Sequence, residues 1–511
     1  MKNSRIKKAL LNTISEFGLE IVTAICSFIL PRLILSHFGS TYNGITQSIS
    51  QFIGCIALLK SGIGSVTRAA LYKPLAEEDS NGISEVVKAT ENFMRKIAII
   101  FIIGIIIFAC IYPIFVKGTF DWWFVFTLVL ILSISTFAQY FFGLTYQMVL
   151  QADQSNYVIA IVQIVATILN TIVASILILS GASIHLVKLG SALIFIIPPI
   201  FYMLYVSKKY KITKDVKLNH NLISQRWDAF GHQLANFVNL NTDVIVITVL
   251  LGVKEVSVYT IYYMVANAVK KIIIAFSSGT TAAFGNMLAK KETQTLKKRF
   301  NQFELLLYYT ATILFTISAI MFLPFIGLYT KGIADIEYIR PFFALLLCIA
   351  EWLVCTKIPY EQIVHAAGEF KNTRKMAIFE AAIHLILSVI CTIKLGLIGV
   401  LIAYIIAASY RTIAYHIYIS KNIIGRSLYS IIPNLLFSII SFITCILLSK
   451  AIPLASISNY LEWGYWAIVI TVITVSIATL IGFIIFKKDM FELFKLFKRI
   501  LINKKRKSRK K

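Results

Sequence analysis

Apolar runs of about 20 residues or more recur along this chain from one end to the other, more of them than a water-soluble core could bury. Each run is long enough to cross about 30 Å of hydrocarbon as a helix. In hydrocarbon every backbone N–H and C=O must be satisfied within the protein, which leaves helices or a closed barrel. The runs do not alternate in and out with a period of two, so helices are expected and barrel strands are not. We read fourteen spans, at 11–37, 44–72, 93–116, 122–149, 156–180, 184–206, 225–251, 256–288, 302–329, 338–365, 373–394, 396–419, 428–450 and 462–486. The expected fold class is therefore an all-α polytopic membrane protein. A hydrophobic fraction of 58% against 14% charged residues agrees with that reading.

The formal net charge of +26 would point to nucleic acid in a soluble chain. Here the lysines fall between spans, and their distribution is lopsided. With the N-terminus inside, internal segments collect Lys2, Arg5, Lys7, Lys8, Lys208, Lys209, Lys211, Lys214, Lys217, Lys290, Lys291, Lys297, Lys298, Arg299, Lys371, Arg374 and Lys375, and the tail from Lys487 adds more. External segments collect Lys117, Lys254, Lys331, Arg340, Lys394 and Lys450. This is the positive-inside pattern, and it places both termini in the cytoplasm with no nucleic-acid partner implied. Residues 1–8 are basic, but the segment that follows holds Glu16 and Glu20 and lacks a small-residue cleavage site, so no cleaved signal is expected. The seven cysteines all lie in apolar segments without CxxC spacing, which reads as small buried hydrophobes and not as a metal site.

Two stretches echo one another. The segment 39–79 and the segment 252–293 each open with Gly, soon reach Tyr42 or Tyr259, and run on as an apolar helix carrying lysine. Each then meets a patch of small residues. A second echo joins QMVLQADQ from Gln147 to QIVHAAGE from Gln362. The step from Tyr42 to Tyr259 nearly equals the step from Gln147 to Gln362, which argues for duplication of a six-helix unit. The expected organisation is a bundle at 1–206, a cytoplasmic linker at 207–224, a second bundle at 225–420, an appended helix pair at 421–486 and a basic tail at 487–511. The connections between spans are short, which counts against a membrane-embedded polymerase or ligase needing a large outer loop.

Charges inside the spans carry the functional reading, because each needs a partner, water or an exit to the interface. Arg32 follows Pro31 in span one. Lys60 and Arg68 lie on one face of span two, eight residues or about 12 Å apart. Lys270 and Lys271 occupy the corresponding span of the second half. Neither Lys60 nor Lys270 has an acidic residue one turn away on its own helix, so both are expected to point toward water and an anionic substrate. In span ten, Lys357 and Glu361 stand at i and i+4 and read as a local pair, with Glu351 nearby. Glu16 and Glu20, Asp243, and Glu380 with His384 are the candidates for taking up a coupling ion. No nucleotide-binding motif occurs, so the expected energy source is a proton, sodium or substrate gradient, with no bound cofactor. Prolines within or at the ends of the spans allow bending around a cavity.

The run ILPRLILSHFGSTYNGI at 29–45, followed by KSGIGSVTR at 60–68, resembles the polysaccharide and lipid-linked oligosaccharide flippases. These belong to a superfamily that also holds the multidrug and toxin exporters. Gly39, Tyr42, Gly44, Gly62 and Arg68 match its diffuse motif, whereas Phe38 stands for a usual Leu and Lys60 for a usual Asp. The resemblance implies two six-helix bundles around a cationic cavity and a C-terminal helix hairpin. It also implies movement of undecaprenyl-diphosphate-linked sugar units across the bacterial cytoplasmic membrane for O-antigen or capsule synthesis, alongside a polysaccharide polymerase and chain-length regulator. A lipid II flippase or an ion-coupled drug exporter of the same architecture is the alternative. A drug exporter for cations should place carboxylates in its cavity, and here the deep lysines outnumber them, which disfavours it.

Overall fold

The computed structural model describes residues 2–57, 63–116, 118–213, 241–277, 280–454 and 457–492. Every regular element among them is helical. In the first half these are α1 (Lys2–Phe38), α2 (Ser40–Ile56), α3 (Ile63–Ala76), α4 (Ser80–Phe115), α5 (Trp122–Ala138), α6 (Leu144–Ala152), α7 (Asn156–Leu179), α8 (Ile184–Ile194) and α9 (Ile197–Lys209). Then come α10 (Asn241–Leu250), α11 (Val253–Ser277), α12 (Thr280–Ala289), α13 (Thr293–Tyr329), α14 (Pro341–Ala367), α15 (Phe370–Leu395) and α16 (Leu397–Ile419). The chain closes with α17 (Ile432–Ser449) and α18 (Tyr460–Ile485). Twelve helices among the described residues are long and apolar enough to cross a membrane. The two remaining expected spans, 44–72 and 225–251, run through residues 58–62 and 225–240, which lie outside the described set. So do most of the expected linker, from 214 on, and the tail from 493.

The duplication is written in the backbone. Every positive-φ residue among those described falls into one of six pairs: Gly39 with Gly252, Glu78 with Lys291, Gly118 with Gly332, Gln154 with Gly368, Gly181 with Gly396, and Lys211 with Gly425. The separation within a pair is nearly constant, shortest for Gly39 with Gly252 and for Glu78 with Lys291, and two positions longer for Gly181 with Gly396. The turns also share hydrogen bonds. Ser155 N–H reaches Leu150 O across Gln154, just as Glu369 N–H reaches Val364 O across Gly368. These are helix ends closed by a left-handed residue. The repeat register is therefore set by Gly39 and Gly252, and the separation that pairs Tyr42 with Tyr259 is four residues too long.

The chain divides into two compact units: residues 1–261 with 332–336, and residues 262–331 with 337–511. In the first unit α4 is the central helix. It turns Ala98, Phe101, Ile105, Ala109 and Tyr112 inward and Ile99, Ile103, Ile106 and Ile114 outward, a helical period with lipid on the outer side. Its inner face packs on Ile45, Ile49 and Ile53 of α2 and on Val125, Leu128 and Val129 of α5. Lipid tails are as apolar as these side chains, so close fit and hydrogen bonds hold the helices together more than the hydrophobic effect does. Tyr112 donates to Ser48 Oγ at 2.6 Å, Ser48 lies 2.7 Å from Thr248 Oγ1, and Asn43 Nδ2 donates to Ser257 Oγ at 2.8 Å. In the second unit α13 is central, with α14 on one side and the α17–α18 pair on another. Ile313, Ile320 and Met321 of α13 meet Phe437, Cys445, Ile470 and Ala478 of that pair.

Gly44 is where the first unit is tightest, since a Cβ there would lie 1.7 Å from the Val253 carbonyl oxygen. Gly464 of α18 has open space around its Cα. Gly44→Ala should therefore lower stability by about 1–3 kcal/mol through forced backbone displacement. A thermal melt of the purified chain should show a clear drop for Gly44→Ala and none for Gly464→Ala.

Candidate functional site

The expected site residues do not share one environment. In the first unit, Glu16 and Glu20 are exposed on α1, and Glu16 accepts from Asn156 Nδ2 at 3.1 Å. Arg32 is half-buried on the same helix. Arg68 on α3 donates from Nη1 to Gln151 Oε1 at 2.9 Å, a neutral partner that leaves its charge uncompensated at that contact. Asp243 is buried on α10 and accepts from Tyr259 OH at 2.6 Å. Lys60 lies outside the described residues. Lys188, which the sequence reading does not single out, stands half-buried on α8, on the side away from the lipid-exposed Leu186 and Leu193.

At an end of this unit, outside the spans, Asp153 gathers four donors. Lys8 Nζ lies at 3.0 Å, Lys209 Nζ at 3.1 Å, Tyr210 OH at 2.6 Å and Ser155 Oγ at 2.8 Å. They come from α1, the α6–α7 turn and the end of α9. Burial alone would raise this carboxyl, but the hydrogen bonds from Tyr210, Ser155, Lys8 and Lys209 outweigh it and hold the group at about 2 against a usual 3.8. A depressed carboxyl contributes stability that is fully present above its unfolded value and is lost as pH falls through its folded value. Asp153→Asn should therefore be less stable than the native chain at neutral pH. The gap in melting temperature should close between pH 3.8 and about 2.

The second unit holds charges in compensated groups. Lys270, 7% exposed on α11, is not the partnerless cation that its own helix suggests. Its Nζ lies 2.9 Å from Glu351 Oε2 of α14, donates to Tyr263 OH at 3.2 Å, and sits 5.0 Å from that ring's centroid. Lys271 is exposed beside it. Around Glu380 of α15, Lys357 Nζ approaches Oε1 at 3.0 Å and Arg411 Nη1 approaches Oε2 at 3.4 Å. Lys357 also reaches Glu361 Oε1 at 3.3 Å, as its i, i+4 spacing requires. Arg411 donates to Tyr415 OH and lies over its ring. His384, one turn on from Glu380, is buried with its ring 5.1 Å from that of Tyr404. A third group joins α13 to the connection that follows α16, where Arg426 grips Glu304 through two hydrogen bonds of 2.6 and 2.7 Å. Tyr360 OH adds a third bond to the same carboxylate at 2.6 Å.

Arg411, Glu304 and Arg426 are absent from the expected set. Arg411 and Glu304 interrupt apolar runs, and that signal alone marks them as intramembrane charges. Among the described residues no cluster of His, Cys, Asp and Glu is arranged to hold a metal ion.

No family model and no curated protein matches the sequence, but solved structures match the fold. A lipid II flippase MurJ in an inward closed conformation is similar over 93% of this chain and 99% of its own, with a TM-score of 0.68 and 16% identity. An inward-facing multidrug resistance MATE transporter of the MOP superfamily covers 80% of this chain and 98% of its own, with a TM-score of 0.63 and 15% identity. A mutant of the Vibrio cholerae MATE transporter VcmN covers 83% of this chain and 99% of its own, with a TM-score of 0.54 and 17% identity. The chain thus has the fold of MOP-superfamily flippases and transporters, and it is a multi-pass membrane protein.

The Lys270–Glu351 pair gives a direct test of this interior. Glu351→Gln leaves a buried ammonium without its counter-charge and should cost about 3–5 kcal/mol. Lys270→Met combined with Glu351→Leu removes both charges and should recover most of that loss. A single variant as stable as the native chain in thermal unfolding would show that Lys270 reaches water instead.

Proposed function

We propose that this chain is a flippase for undecaprenyl-diphosphate-linked oligosaccharide in the bacterial cytoplasmic membrane, serving surface polysaccharide synthesis by alternating access. The observation that carries the reading is the extent of the structural match. The MurJ likeness takes in 93% of this chain and the MATE likeness 80%, a difference close to the length of the α17–α18 pair with its connections. A likeness that takes in nearly the whole length of both chains favours lipid-linked cargo over a soluble drug. The 29–45 and 60–68 segments support the same reading.

In this reading Arg32, Lys60 and Arg68 of the first unit attract the diphosphate, with Lys271 as a further cation. Lys270 stands beside Lys271 on α11, held by Tyr263 and Glu351. The sugar and diphosphate need water and cations along their route, whereas the polyprenyl tail stays in lipid. Both termini are assigned to the cytoplasm. A polysaccharide polymerase and a chain-length regulator are the expected partners.

The test uses liposomes containing the purified full-length chain and a fluorescent undecaprenyl-diphosphate-linked sugar, with a membrane-impermeant quencher outside. The inner-leaflet pool should become quenchable with the chain present and stay protected in protein-free vesicles. Continued protection would overturn the proposal, and faster movement of lipid II would redirect it to that substrate. Lys60→Gln should slow movement about tenfold, or about 1.4 kcal/mol of barrier, with protein level unchanged. Lys60→Arg should retain more activity because it keeps the charge.

A further inference from the structure

The group around Lys357 has the geometry of a small cation site whose cation is part of the protein. Two carboxylate oxygens from different helices converge on one nitrogen: Glu380 Oε1 of α15 at 3.0 Å and Glu361 Oε1 of α14 at 3.3 Å. The position is deep. Lys357 lies ten residues before the end of α14 at Ala367, and Glu380 ten residues past the start of α15 at Phe370. At 1.5 Å per residue both are about 15 Å from the turn that joins these helices. The Glu380 and Lys357 side chains are 8% and 12% exposed, while Glu361, one turn nearer the helix end, is 33% exposed. The site is therefore closed around the nitrogen and open on the side of Glu361. Arg411 of α16 holds the other Glu380 oxygen and is itself occupied by Tyr415. Two cations, Lys357 and Arg411, face two carboxylates, Glu361 and Glu380, so these four groups sum to no net charge.

We propose that Lys357 is a resident cation, its ammonium occupying a two-carboxylate site that would otherwise take a dissociable monovalent cation or a proton. Glu380 is then compensated at every stage of a transport cycle and takes up no coupling ion. The chain binds no sodium at this place, and its movement of cargo does not draw on a sodium gradient through it. Lys357→Met keeps a long apolar side chain but withdraws the charge, leaving Glu380 and Glu361 facing an emptied position with one uncompensated negative charge. That deficit has to be met by an ion from solution entering past Glu361.

The experiment measures thermal unfolding of the full-length chain in detergent, with sodium chloride exchanged for choline chloride at constant ionic strength. The native chain should melt at the same temperature in both salts. Lys357→Met should gain a saturable, sodium-dependent rise of several degrees, as expected for a ligand that binds only the folded state, or an equal rise on acidification if a proton fills the place. Adding Glu380→Gln to Lys357→Met should abolish the response. A saturable sodium effect on the native chain, or no greater response from Lys357→Met than from the native chain, would overturn the proposal.

If Lys357→Met does not fold, the native chain alone still decides. Its melting must be indifferent to sodium, and in the liposome assay an imposed sodium gradient must leave the rate of movement unchanged. The liposome arm rests on the proposed flippase function and the melting arm does not. A chain that moves no lipid-linked sugar, yet behaves as described in the melts, would lose the function and keep the resident cation.

Discussion

Carboxylates of Glu304, Glu351 and Glu380 each lie within 3.4 Å of a cationic nitrogen from another helix or connecting segment, and the second unit depends on those contacts. In water such pairs contribute little because the separated ions are well solvated. In hydrocarbon the separated state is the costly one, since a lone charge there has neither water nor a polar medium. The pairs need not stabilise the helices against an apolar alternative in order to matter. What they do is fix which element faces which: α11 to α14 through Lys270, α14 and α16 to α15 through Lys357 and Arg411, and α13 to the connection after α16 through Arg426. Apolar packing in lipid cannot supply that choice by itself, because a leucine meets a lipid tail as readily as another leucine.

The first unit also joins its helices through neutral groups. Tyr112, Ser48 and Thr248 form a chain of hydroxyls, and Asn43 meets Ser257. Asp153, which gathers four donors, sits at a helix end, where Lys8 and Lys209 can also reach water. Two halves with one set of turns have thus diverged in what fills their interiors. The turns have been retained even where they are unfavourable for the side chain. Glu78, Gln154, Lys211 and Lys291 all hold positive φ, where an L-residue is strained by roughly 1 kcal/mol or more. The inheritance from the duplication lies in where the helices end and how the chain turns, more than in which residues line them.

This explains what can be read from the chain alone. Span lengths, helical class and the six-helix period are properties of runs, and runs survive substitution. The Lys357–Glu361 pair is legible because its spacing is local. The partner of Lys270 is not, since Glu351 lies three helices further on and nothing on α11 announces it. Glu380 reads as an ion-coupling candidate because its two cations, 23 and 31 positions distant, come from other helices. The repeat register reads four residues long when it is anchored on Tyr42 and Tyr259, whose side chains are not equivalent. The glycines that shape the turns are the better markers, since a positive φ restricts the residue far more than a helix interior does.

Compensation inside the second unit bears on what can drive movement of cargo. A group of two cations and two carboxylates has no net charge, so displacing it across the membrane field does no electrical work. A single elementary charge would exchange about 2.3 kcal/mol per 100 mV. Under the proposed function, the diphosphate of the cargo then becomes the main charge that moves. Two negative charges leaving a cytoplasm of negative potential gain roughly 4–5 kcal/mol per 100 mV, enough to bias an exchange between leaflets a thousandfold. A coupling cation moving inward in exchange would add to that gain, but the charge of the cargo already supplies one. A lysine fixed in place neutralises Glu380 without any such exchange. On this argument the resident ammonium and an anionic cargo belong together: each makes an imported coupling ion unnecessary.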